Sequence, residues 1–318
     1  MKSWSAKLLL FGEHTVNTGS NALALPLPAF SGHWQLATHL KGEDLLRTQQ
    51  QLPQFAAFLK KHQKDNVFPW ALDADGFAEE LEKGLIFSSG IPTGYGAGSS
   101  GALVAAVFET WVRQEDLPAD QHWQSPRQTA ALKRMLAGME GFFHGTSSGT
   151  DPLICLLRQP VLLDSLGGAR RVDLTDKAAA AGQHFFLLDT GLPRKATPLI
   201  AWFMGQMAEA SFRRRVEAEL LPAVDGAIEA FLAGDQQLLS GCFQHISAFQ
   251  LENMAPLIPA DFRQIWQEGL SGGDFGLKIC GAGGGGFLLG IAENLAALRQ
   301  RYPGCSFTRV SLTNENES

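Results

Sequence analysis

The sequence predicts an α+β protein of two domains, and three observations carry that expectation. Its 318 residues exceed the usual size of one domain. Runs of strand character and runs of helical spacing both occur along its length. Hydrophobic residues at 45% and charged residues at 18% describe a folded globular chain rather than a disordered one.

In chain order, "KLLLFGEHTV" reads as a strand broken at Gly12, and "NALALPLPAF" as a second strand interrupted by Pro26 and Pro28. Residues 76–87 read as helix and then extended chain. After Gly101, "ALVAAVFETWV" is a buried helix that ends in the polar "RQEDLPAD". In "RQTAALKRMLAGMEGFFHG", Leu132, Met135, Leu136, Met139 and Phe143 recur at helical spacing and form one apolar face. Glu140 falls on or beside that face, so its carboxylate needs a partner. The small, polar stretch 166–182 is the linker candidate, placing an N-terminal domain over 1–180 and a C-terminal domain over 181–318. Beyond it, "HFFLLDTG" reads as a strand and 198–232 as long helices. "FGLKICGAGGGGFLLGIA" reads as two apolar runs around a glycine turn, and "AENLAALRQRY" as a helix. The terminal "TNENES" is expected to fray.

The net charge of −6, from 26 Lys and Arg against 32 Asp and Glu, gives no general attraction for nucleic acid or an anionic membrane. Any anionic ligand must be held by local groups. The early run "LLLF" is too short for a signal-peptide core or a membrane span. The four cysteines, Cys155, Cys242, Cys280 and Cys305, contain no CxxC pair. The expectation is a reduced, cytoplasmic protein with neither nucleic acid nor membrane as partner.

Four motifs carry chemistry. In "IPTGYGAGSSGALVAAV", the segment "GAGSSG" (Gly96 to Gly101) matches G-x-G-x-x-G, but a dinucleotide fold needs a strand ending at the first glycine. Ser88, Ser89, Gly90 and Pro92 intervene, and no lysine follows to make a P-loop. What remains is a glycine loop entering a helix N-terminus, where free N–H groups and the helix dipole favour phosphate. A serine there can reach a phosphate-bound Mg²⁺. The plainer alternative is a tight turn with Ser99 or Ser100 as an ordinary helix cap.

In "EGFFHGTSSGTDP", Glu140 and Asp151 stand eleven positions apart around a Gly, Ser and Thr-rich loop. Asp151 could act as general base for a hydroxyl and Glu140 as a metal ligand. Equally, Glu140 could pair with His144 one turn on, and Asp151 could cap the next segment. "GLKICGAGGGGFLL" holds a second G-x-G-x-x-G match, Gly281 to Gly286, followed by a strand rather than a helix. Such a loop could lie against phosphates or against another backbone, with a structural hairpin as the alternative. In "KLLLFGEH", Lys7 precedes the apolar strand, and Glu13 and His14 follow a glycine at its far end.

Together and in this order, the four motifs resemble the GHMP kinases, small-molecule kinases named for galacto-, homoserine, mevalonate and phosphomevalonate kinases. The mevalonate kinase branch is the closest match, through "KLLLFGEHTVNTGSNALALP", "IPTGYGAGSSGALVAA", "HGTSSGTDP" and "KICGAGGGGFLLGI". The resemblance runs from about Lys7 to Gly290. It implies a GHMP kinase fold, with an N-terminal domain like domain 2 of ribosomal protein S5 and a ferredoxin-like C-terminal domain. It further implies ATP and Mg²⁺ as cofactors and a small-molecule alcohol, mevalonate above all, as acceptor; a homodimer is left open.

Residue by residue, the resemblance makes Asp151 the base with Lys7 beside it, and Ser100 and Glu140 the Mg²⁺ ligands. Gly94, Tyr95, Gly96, Ala97, Gly98, Ser99, Ser100 and Gly101 would surround the triphosphate, with Gly283 and Gly284 also on the nucleotide. Glu13, His14, Gly281, Ala282 and Thr197 would face the acceptor. The match departs at three places. One extra residue separates Arg194 from Thr197, Tyr95 and Ala97 stand where the family commonly has Ala and Leu, and only about eighty residues separate the first two motifs. Another acceptor, such as a sugar or phosphomevalonate, and a non-catalytic ATP-binding protein on the same fold are the alternatives. Lys7, Glu140 and Asp151 together speak against the second, because a pure binder has no use for a base.

Overall fold

The computed structural model describes residues 2–37, 50–113, 115, 117, 123, 125–165, 168–182 and 184–311. Contacts gather these into two compact units built from interleaved segments. The first draws on Met1–Lys7, Pro28–Pro92 and Gly98–Gln159, and the second on Leu8–Leu27, Thr93–Ala97 and Pro160–Ser318.

Strand β1 (Ser3–Phe11) starts in the first unit and β2 (Ala22–Leu36) ends in it. Helices α1 (Leu52–Lys64) and α2 (Ala74–Glu82), strand β3 (Leu85–Ser89), and helices α3 (Ser99–Trp111), α4 (Pro126–His144) and α5 (Thr150–Leu157) complete it. Helix α3 is apolar on every side, so it is buried on every side: Gly101 through Phe108 are all inaccessible. Helix α4 turns Leu132, Met135, Leu136 and Met139 inward, each 0% exposed, which is the face its spacing predicts. An aromatic cluster packs where β2 meets β3. Its ring centroids are 4.5 Å apart for Phe77 and Trp111, 5.0 Å for Trp34 and Phe87, and 5.1 Å for Trp34 and Trp111.

The second unit holds β4 (Val161–Leu163), β5 (Ala169–Arg171), α6 (Asp176–Gly182), β6 (Phe185–Asp189), α7 (Ala196–Ala208) and α8 (Ala210–Arg215). A π-helical turn (Val216–Leu220) leads into α9 (Leu221–Ala233), α10 (Gln236–Asn253), α11 (Arg263–Gly272), β7 (Phe275–Ile279), β8 (Phe287–Ala292), α12 (Leu295–Arg301) and β9 (Ser306–Arg309). Strands β7, β8, β6 and β9 lie in that order, and every pairing is antiparallel. With helices between β6 and β7 and between β8 and β9, this is a ferredoxin-like β-α-β-β-α-β arrangement.

Two expectations are corrected. Pro26 and Pro28 do not interrupt β2, which runs through both. They fall between Ala22–Ala24, paired with β4, and Gly32–Leu36, paired with β3, so their missing N–H groups cost neither pairing a bond. The 166–182 stretch is not bare linker, since it supplies α6 and also β5, which pairs with β4. The segment "TNENES" and most of "RQEDLPAD" lie outside the described residues.

Gly12 ends β1 with φ of +98°, and a Cβ there would meet Ala22 Cα at 2.6 Å and Asn21 O at 2.7 Å. Both obstacles are backbone and cannot rotate away. Gly12→Ala is therefore expected to destabilise the protein by about 2 kcal/mol or more, read from the denaturant midpoint. An unchanged midpoint would mean that the turn after β1 relaxes freely.

Candidate active site

In the first unit the site is built around a buried lysine. Ser3, Ser5 and Leu9 on one face of β1 are exposed or half-buried, whereas Lys7 on that same face is covered. Its side chain is 8% exposed, and its Nζ lies 3.0 Å from Asp151 Oδ1. An ammonium removed from water requires such a partner. Asp151 is the second residue of α5, where a carboxylate is favoured by the helix dipole; Gly149 occupies the cap position, so Asp151 is not the cap.

Helix α3 begins on the same scale of contact. Gly98 is its N-cap at φ +80°, and a Cβ there would sit 2.8 Å from Lys7 Cγ. A Cβ on Gly101 would sit 2.9 Å from the carbonyl carbon of Asp151. These two glycines let the start of α3 close on Lys7 and on the first turn of α5. Ser99 and Ser100 are the first two residues of α3, so neither is the cap residue.

The Ser100 hydroxyl donates to Glu140 Oε1 at 3.2 Å and lies 2.9 Å from His144 Nε2. Glu140 and His144, one turn apart on α4, thus converge on Ser100. Ser147 Oγ donates to the other Glu140 oxygen and itself accepts the Gly149 N–H at 2.9 Å. Burial pushes the Glu140 carboxyl up to about 7, with the Asp151 carboxylate adding to the rise and the bonds from Ser147 and Ser100 opposing it. A buried carboxylate held in this way is a natural place for a cation.

The second unit assembles a different group. Glu13 and His14 are both buried, at 5% and 8% exposed. Lys278 on β7 forms a buried ion pair with Glu13 and also donates to Ile279 O at 2.8 Å. His14 takes φ of +65°, places Nε2 3.2 Å from Ala282 O, and stacks at 4.8 Å on Phe203 of α7. Burial lowers its pKa to about 4, against the pull of the Ala282 carbonyl and with help from the Arg194 and Lys278 charges. His14 is therefore neutral at physiological pH.

Arg194 lies between two of the glycine motifs. Its Nη2 occupies the space a Cβ would take on Gly96 (2.2 Å) and on Gly281 (2.8 Å), and its N–H donates to Gly94 O at 3.0 Å. Ala97 is buried, and Thr197 is exposed on the first turn of α7. Gly281, Gly283, Gly284, Gly285 and Gly286 all have positive φ. The Gly284 N–H donates to Leu257 O at 2.6 Å and a Cβ on Gly283 would meet that same oxygen at 2.5 Å, so this loop lies against backbone.

Lys7, Ser100, Glu140 and Asp151 thus come together in the first unit, and Glu13, His14, Gly281 and Ala282 in the second. Lys278, Ser147 and Phe203 were not singled out from the sequence. Lys278 had a signal, a lone charge inside the apolar run "FGLKIC". Ser147 and Phe203 had none, because a serine in a polar loop and a phenylalanine in an apolar helix are ordinary. Among the described residues no three His, Cys, Asp or Glu side chains cluster as a metal site, and no helix is long and apolar enough to cross a membrane.

No family model matches the sequence, and no curated protein matches it. Solved structures do match across nearly the whole chain. L. major mevalonate kinase in complex with R-mevalonate is 18% identical, with a TM-score of 0.62 over 98% of this chain and 96% of its own. Lactococcus lactis galactokinase complexed with galactose is 16% identical, with a TM-score of 0.62 over 98% and 93%. Streptococcus pneumoniae phosphomevalonate kinase in complex with phosphomevalonate and AMPPNP is 15% identical, with a TM-score of 0.60 over 97% and 99%. These are GHMP kinases, and the chain has their two-domain α+β fold.

The raised Glu140 pKa has a consequence for stability. The folded chain holds this proton to higher pH than the unfolded chain does, so stability falls as pH rises from about 4.5 to about 7. Without metal or nucleotide, Glu140→Gln is expected to unfold at higher temperature than the parent at pH 8, with the difference closing at pH 4.5. A difference independent of pH would show that Glu140 carries no such strain.

Proposed function

We propose that the protein is an ATP-dependent small-molecule kinase that transfers the γ-phosphoryl group to an alcohol, with mevalonate as acceptor and 5-phosphomevalonate as product. The observation that carries this reading is the ion pair of buried Lys7 with half-buried Asp151, set at the N-terminal ends of α3 and α5 beside Ser100 and Glu140. The GHMP kinase fold supports it.

Phosphoryl transfer asks for position and charge more than for covalent help from the protein. Asp151 Oδ accepts the proton of the attacking hydroxyl. The Lys7 ammonium, fixed at 3.0 Å, balances the charge that develops there. The first N–H groups of α3 and the dipole behind them favour the anionic phosphates. Gly94 to Gly101 form the phosphate loop, and Gly283 and Gly284 belong to the nucleotide side. Glu13, His14, Thr197, Gly281 and Ala282 are assigned to the acceptor.

The donor set fits Mg²⁺: a hydroxyl and a buried carboxylate, both oxygen, with room in the coordination shell left to phosphate and water. Ser100 and Glu140 would hold the ion, which when bound neutralises phosphate charge. The protein would act in the cytoplasm.

A second reading keeps the machinery and changes the acceptor to a sugar or phosphomevalonate. It is favoured by the galactokinase and phosphomevalonate kinase structures, which match about as well as the mevalonate kinase.

Mg²⁺-dependent ADP release, measured with ATP and a panel of mevalonate, phosphomevalonate, homoserine and galactose, tests both readings. Turnover confined to mevalonate is expected; turnover on another member selects the second reading, and nucleotide binding without turnover on any would overturn the kinase assignment. In the same assay Asp151→Asn is expected to lower kcat by about a hundredfold or more while ATP still binds. Undiminished turnover would remove Asp151 as base.

A further inference from the structure

We infer that Tyr95 is a positioning residue: its side chain fastens the phosphate loop to β8, holding Gly94 and Gly96 ready for the nucleotide. The inference rests on the phosphate-loop reading above.

Glycines at 94, 96 and 98, all at positive φ, give this loop a backbone with many accessible conformations. Ordering such a segment only when a ligand arrives would subtract from binding. Tyr95 is the one residue between Gly94 and Gly96, and its side chain is anchored within the second unit. The ring packs edge-on against Phe287, the first residue of β8, at 4.9 Å between centroids.

The backbone on either side follows the side chain. Gly94 O accepts the Arg194 N–H at 3.0 Å, and a Cβ on Gly286 would meet Tyr95 O at 2.8 Å and Tyr95 Cα at 2.9 Å. Gly286 in turn accepts from Thr190, through N–H at 3.0 Å and hydroxyl at 2.6 Å, one residue beyond Asp189. Tyr95 therefore sits over a rigid corner formed by the end of β6 and the start of β8. Alanine at this position would keep the loop's length and lose the ring contact with Phe287.

The test compares Tyr95→Ala and Tyr95→Phe with the parent, using isothermal titration with the non-hydrolysable ATP analogue AMPPNP, thermal unfolding and steady-state kinetics. Tyr95→Ala removes the ring from Phe287 and is expected to bind the analogue about five- to tenfold more weakly, with KM for ATP rising by a larger factor than kcat falls and the unfolding temperature held. Tyr95→Phe keeps the ring on Phe287 and should keep parental affinity. Unchanged affinity in Tyr95→Ala, an equal loss in Tyr95→Phe, or a loss matched by a general fall in unfolding temperature, would overturn the inference. A parent that binds no nucleotide would instead overturn the kinase reading.

Discussion

The buried ammonium of Lys7 is the constraint on which the candidate site depends. A strand that carries a lysine on a covered face must bring a carboxylate to it, and Asp151 meets that demand from the first turn of α5. The consequences spread through the first unit. Gly98 has no side chain because Lys7 passes beneath it, and Gly101 has none because the backbone of Asp151 does. The all-apolar body of α3 then anchors the helix whose N-terminus opens beside the pair. The geometry of the candidate site and the packing around it are here the same requirement, so substitutions at these positions act on both.

The second unit repeats the logic with different chemistry. Glu13 follows β1 and Lys278 sits on β7, and their mutual neutralisation lets both be buried. Lys278 is further tied to the backbone at Ile279, whose N–H reaches Gln250 of α10 at 2.8 Å. His14, next to Glu13, sits at the centre of a tight turn closed by the Thr15 N–H on Glu13 O at 2.8 Å, with its imidazole on the Ala282 carbonyl. A carbonyl acceptor at Nε2 and a buried, neutral ring leave Nδ1 as a lone-pair acceptor, the state suited to a hydroxyl group.

Much of this was legible in the sequence, for identifiable reasons. The strands at 3–11 and 185–189, the helix at 126–144 and the hairpin at 275–292 announced themselves by apolar run or period, and the glycine motifs marked the close approaches between segments. Lys7, Glu140 and Asp151 stood out as charges in apolar or small-residue surroundings. Helix α1 does carry a helical period, in Leu52, Phe55, Ala56 and Leu59, whereas the polar residues of α10 dilute its period, as in "QQLLSGCFQHISAFQLEN". The ordered pieces within 166–182 were hidden because an alanine run has helix propensity but no apolar period, and a three-residue strand is too short to show alternation. The prolines of β2 do not break it, because they fall outside the stretches paired with β3 and β4. Arg194 between Gly96 and Gly281 joins positions far apart in the chain, and no local pattern encodes it.

The central claim is that Lys7 and Asp151 act as one unit in the transfer step. A double-mutant cycle on kcat with Lys7→Met, Asp151→Asn and the combined variant addresses it most directly. The account requires the combined variant to lose little more than the worse of the two single variants, since removing either partner already disables the pair. Losses that multiply would show that the two groups contribute independently, and would contradict the account.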